Sequence, residues 1–66
     1  MKYTFWYYTY VTSINGYNFI NYDVIIFDSD KFDFIEFSKR NPDASLIFIK
    51  EITEEEYNYF RKTLGK

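Results

Sequence analysis

The stretch MKYTFWYYTYVTSINGYNFINYDVIIF, residues 1–27, decides the fold. Up to residue 22 it carries one charged side chain, Lys2, in a run of Phe, Tyr, Trp and β-branched residues. Residues 3–12 are β-branched or aromatic at nearly every position, which suits a pleated strand and not a helix. Asn15-Gly16 follows, the pair best able to take the positive φ angles of a two-residue type I′ turn. Residues 19–27, FINYDVIIF, are then the returning strand. A two-residue turn also sets the register, and with it the face of every side chain. On the odd face, named for its residue numbers in the first strand, Phe5 pairs with Ile26, Tyr7 with Val24, Thr9 with Tyr22 and Val11 with Ile20, and this is expected to be the core face. On the even face Thr4 pairs with Phe27, Trp6 with Ile25, Tyr8 with Asp23, Tyr10 with Asn21 and Thr12 with Phe19.

Outward from the hairpin, residues 28–41 have two readings. FDFIEF partly alternates, as a strand would. Asp28, Ser29 and Asp30 are each competent helix N-caps, and Asp33 would then favour the dipole in the first turn. A helix ending before Asn41-Pro42, a stop signal, is the preferred reading. SLIFIKEI, residues 45–52, reads as a strand. Thr53 and Glu56 make a T-x-x-E capping box for a final helix, with Glu54 and Glu55 at its positive end and Arg61 and Lys62 near its negative end. Tyr57, Phe60 and Leu64 share one face of that helix, and Gly65 is a natural C′ residue. The expected fold is α+β, β-β-α-β-α: a three-stranded, mainly antiparallel sheet with two helices on one face. It forms one small domain over residues 1–66, and the right-handed crossover rule constrains the last strand.

A chain of 66 residues buries only roughly 60% of its unfolded surface. Cys and His are both absent, which removes disulfides and the usual zinc sites as staples. Eight Phe, eight Tyr and one Trp are the substitute, since each buried ring takes roughly 150–250 Å² out of water. A dimer that doubles the core is a second route to stability. The net charge of −2 is small, but all ten acids and seven of the eight bases lie in residues 23–66. No apolar run approaches the ~20 residues of a membrane span, and the first residues lack a signal peptide's aliphatic centre. A cytoplasmic location, in a bacterial host, is expected.

The motif most suggestive of chemistry is VIIFDSDKF, residues 24–32. A strand ending in D-x-D resembles the nucleophile motif of haloacid-dehalogenase-type phosphatases and the metal-nucleotide site of some glycosyltransferases. Those folds need a far larger sheet and further motifs, and Lys31 stands where the phosphatase pattern has Gly. The expectation is that Asp28 and Asp30 end a strand and cap a helix. Asp28, Asp30 and Asp33 offer oxygen ligands for a hard cation, but the EF-hand spacing is absent, so no metal is expected. Without His or Cys, a Ser or Thr nucleophile lacks a base at any recognised spacing. Gly16 and Gly65 are the only glycines, so there is no phosphate loop. No cofactor and no catalytic residues are expected, and the protein is read as not an enzyme.

The candidate site is therefore an interface. Trp6, Tyr8, Tyr10, Phe19 and Ile25, with Asn21 and Asp23 among them, have the Tyr/Trp enrichment and the few polar groups of protein interfaces. Single-stranded nucleic acid would stack on such rings, but this face offers Asp23 where phosphates need Lys or Arg, so nucleic acid is disfavoured. The expected partner is another protein or a second copy stacked face to face in a homodimer. The alternative is a small ligand: a dimer cleft in which Trp6, Tyr8 and Tyr10 stack on a base or nucleotide. If residues 30–40 instead fold over this face, with Phe34 and Phe37 upon it, it is core and no site.

Tyr8-Thr9-Tyr10, Asn15-Gly16, Phe19, Asn21, the strand Leu46–Ile49 and Glu54–Tyr57 together resemble a group of small uncharacterised proteins of bacteriophages and mobile elements. Those share a Y-x-Y strand, an N-G turn, a G-F-G-N-like return, a charged helix, an aliphatic strand and a short acidic-start helix. Here Asn18 and Ile20 stand in place of the two glycines of the return. The resemblance implies a phage or mobile-element origin and a non-enzymatic binder that inhibits host defence machinery by occupancy.

Overall fold

The computed structural model describes residues 2–64, so the expected C′ residue Gly65 lies outside them. The elements are β1 (Thr4–Ile14), β2 (Tyr17–Phe27), α1 (Phe34–Arg40), β3 (Ala44–Ile52) and α2 (Glu54–Thr63). They form a three-stranded sheet of order β2-β1-β3, with β1 antiparallel to both neighbours. The α+β class and the β-β-α-β-α order are those read from the sequence. Since β2 and β3 both oppose β1, they run parallel to each other, and α1 carries the chain across β1 between them.

The hairpin keeps the expected register from Thr4↔Phe27 to Ile14↔Tyr17. Asn15 and Gly16 take φ values of 53° and 82°, the left-handed pair that a type I′ turn requires. β3 departs from regularity. Its register against β1 shifts between Thr9 and Tyr10, so that Phe48 pairs with Thr9, Leu46 pairs with Tyr10, and Ile47 is the extra residue of a bulge. The bulge sends Leu46 and Ile49, three residues apart, to the same even face, where both pack on the core.

The helices lie on opposite faces of the sheet, which corrects the expectation that both would cover one. On the even face Phe37 of α1 meets Tyr8 edge-on at 5.1 Å. On the odd face Tyr57 and Phe60 of α2 meet Phe5 at 5.2 Å and Tyr7 at 5.3 Å. The physical reason is the hairpin itself: it carries large rings on both sides, and stacking both helices on one side would leave the other set in water.

α1 also starts later than its candidate caps. The N-cap is Asp33, whose Oδ1 accepts the Glu36 N–H at 3.0 Å, while residues 28–31 form bends. The late start leaves Phe32 outside the helix and free to insert into the core, against Phe27 at 5.0 Å and Trp6 at 5.7 Å. The capping box of α2 forms as read: the Thr53 hydroxyl accepts the Glu56 N–H, and the Glu56 carboxylate accepts the Thr53 N–H. The Thr53 N–H and then the Thr53 hydroxyl, both donating to the Glu56 carboxylate, hold that carboxyl below its ordinary range.

Candidate functional site

The seven residues of the expected interface share one face, but most of them are not available to a partner. Tyr8 is 5% exposed, and Ile25 is buried with Phe27, Phe32 and Phe37 in one cluster. Trp6 and Tyr10 are half-buried against it. Tyr8 stacks on Tyr10 at 5.5 Å and lies edge-on to Phe32 at 6.2 Å. The rings offered to a ligand or to a facing copy are therefore already occupied by Phe32 and Phe37, and this part of the face is the main core. Phe37 covers it as the sequence allowed, but Phe32 takes the place expected for Phe34, which is 56% exposed.

Polar groups at the base of this core are satisfied. The Trp6 indole N–H donates to Thr4 Oγ1 at 2.8 Å, and the Thr4 hydroxyl donates to the Ser29 carbonyl at 2.7 Å. Burial pushes the Tyr8 phenol up from its ordinary value of 10.0 to about 12, with Asp23 and then Tyr10 adding to the shift and Arg40 opposing it. Asn21 and Asp23, expected to orient a ligand, serve the hairpin instead. The Asn21 amide donates to Thr12 Oγ1 at 3.2 Å and to the Phe19 carbonyl at 3.3 Å, and Asp23 Oδ1 accepts the Val24 N–H at 2.8 Å. Of the seven, only Phe19 is exposed. Asp28, Asp30 and Asp33 are not drawn together, since no cluster of three potential metal ligands occurs among the described residues.

The open apolar surface lies elsewhere, on the outer half of the hairpin. α2 covers only one end of the odd face, with Tyr57 and Phe60 over Phe5 and Tyr7 of β1 and Tyr57 beside Val24 and Ile26 of β2. Beyond it Ile20 is 76%, Tyr22 56% and Phe48 51% exposed, with Val11 half-buried between them. The register places Val11 beside Ile20 and Thr9 between Tyr22 and Phe48, so these side chains form one patch across all three strands. Ile14 and Tyr17 continue the apolar surface at the tip of the even face.

Sequence reading assigned Val11, Ile20 and Tyr22 to the core face, yet the lengths carried a signal against it. A strand of 11 residues spans roughly 36 Å, whereas a helix of 10 residues spans about 15 Å. One such helix covers less than half of the ribbon. No helix among the described residues is long and apolar enough to cross a membrane. No family model, curated protein or solved structure matches this chain significantly.

Proposed function

We propose that the chain is a non-enzymatic protein-binding module that docks through the odd-face patch of its projecting hairpin. The observation that carries this reading is the patch of Val11, Ile20, Tyr22 and Phe48, left open beside a covered core. Contiguous apolar surface of this kind on a small domain marks interaction sites. Lys50 of β3 and Glu56 of α2 both line the groove beside Phe48, so the partner that fits has an apolar centre and a rim carrying charges of both signs. The absence of His and Cys from the sequence supports a role in binding rather than turnover. Together with the resemblance to small phage and mobile-element proteins, this supports an inhibitor of host defence machinery that acts by occupancy in a bacterial cytoplasm.

Phe48→Ser tests the reading, because Phe48 is half-exposed and lies outside the buried cluster. Proteins retained from bacterial extract by the wild type and not by the variant are purified and titrated against both. Loss of an aromatic anchor weakens binding by roughly 2 kcal/mol, about 30-fold. Equal affinity of Phe48→Ser and wild type for every retained protein refutes the patch as the contact surface.

A further inference from the structure

We infer that the outer edge of β2, over residues 17–22, pairs with the same edge of a second copy to give a continuous six-stranded sheet. This inference concerns the chain alone and holds or fails independently of any host partner.

The two edges of the sheet differ in how they are protected. β3 carries a bulge at Ile47 and the adjacent charges Lys50 and Glu51, devices that keep an edge from pairing. The outer half of β2, YNFINY, has no charge, no proline and no register break against β1. With the two-residue turn at Asn15-Gly16, Ile14 and Tyr17 are a hydrogen-bonded pair, and the ladder alternates from there. The even-numbered residues of β2 therefore point their N–H and C=O groups outward.

One of those groups is already engaged. The outward N–H of Val24 is held by the Asp23 carboxylate at 2.8 Å. At the same level Arg40 of α1 and Arg61 of α2 line a groove with Asp23, Val24, Ile25 and Ile26, flanking the edge from both faces. The open donors and acceptors are thus those of Asn18, Ile20 and Tyr22. An antiparallel two-fold pairing that uses these three and spares Val24 has one register: Ile20 opposite Ile20 of the second copy, and Asn18 opposite its Tyr22.

That register is self-compatible. Phe19 lies opposite Asn21 of the other copy, and Tyr17 opposite its Asp23, so no like charges meet. The other copy's Asn15-Gly16 turn, which is uncharged, lands in the groove between Arg40 and Arg61.

The surface area agrees with a missing neighbour. The chain exposes 5081 Å², against about 4,500 Å² for a compact monomer of 8.2 kDa. Its radius of gyration is 12.4 Å, where about 11 Å is ordinary for this length. A contact confined to one strand edge over residues 17–22 lies at the weak end of specific interfaces, so the dimer is expected to dissociate on dilution. Pairing would also join the two odd-face patches, with Ile20 at the centre, into the surface offered to a host protein.

Native mass spectrometry and sedimentation over a concentration series test this. The mass is expected to rise from one chain to two between about 1 and 100 µM. Ile20→Lys, at a position 76% exposed, sets two ammonium groups on the two-fold axis and is expected to shift dissociation at least tenfold, with unchanged circular dichroism. Two double variants check the register with a shared cost at Tyr22. Asn18→Glu with Tyr22→Lys places opposite charges across the axis and is expected to keep the dimer, whereas Asn18→Lys with Tyr22→Lys is expected to lose it. A wild type that stays monomeric at about 100 µM overturns the inference and leaves the edge to a strand of another protein. So does dimerisation unaffected by Ile20→Lys, or identical behaviour of the two double variants.

Discussion

Truncating Phe37 to Ala separates a covered even face from an open one. Phe37 is 3% exposed and meets Tyr8 at 5.1 Å, Phe32 at 5.7 Å and Tyr10 at 6.3 Å. Losing such a ring costs roughly 3–5 kcal/mol in transfer and cavity terms. Each well-placed aromatic pair contributes a further ~0.5–1.5 kcal/mol. A domain of this length has roughly 3–10 kcal/mol of stability in total, so Phe37→Ala removes most of it. The control is Phe34→Ala, three residues away in the same helix but 56% exposed, for which less than about 1 kcal/mol is expected. Urea unfolding reads both through Trp6, the only tryptophan, whose indole lies edge-on to Phe32 in the same core. With an m-value near 1 kcal/mol/M for a chain this small, the Phe37 midpoint falls by about 3 M or the variant is unfolded in buffer. Midpoints for the two variants within about 0.5 M of each other would refute the assignment of the even face to the core.

Two further outcomes follow from the same geometry. Tyr8 is an acid whose folded pKa is raised, so its contribution to stability is fully present below pH 10 and is lost as pH rises through about 12. Ultraviolet titration of the wild type is expected to show one phenol ionising last, together with unfolding, and Tyr8→Phe to remove that step; a Tyr8→Phe profile identical to wild type counts against it. At the turn, Gly16→Ala is expected to cost roughly 1–2 kcal/mol through backbone strain at φ 82°, since open space surrounds the position that a Cβ would take. Thermal unfolding checks this, and an unchanged Tm would show that the turn tolerates another conformation.

What the sequence determined by itself was local or nearly so. Asn15-Gly16 dictates the turn, the turn dictates the register, and eleven cross-strand pairs follow from those two residues. Thr53 and Glu56 specify the start of α2 because both halves of a capping box lie within one turn. Asn41-Pro42 stops α1 for the same kind of reason.

The tertiary structure decided what each face meets. Both sides of the hairpin are aromatic, so side-chain pattern alone did not say which helix covers which side. That depends on α1 crossing β1 on the even face and on α2 returning over the odd one. Phe32 and Phe34 are equivalent as letters, and only the delayed cap at Asp33 sends the first inward and leaves the second in water. The bulge at Ile47 has no marker in SLIFIKEI; it arises because Leu46 and Ile49 gain more by packing on the same core than by keeping strict alternation. Burial is a property of the whole arrangement, and for that reason Trp6, Tyr8 and Tyr10 were legible as a cluster but not as a core.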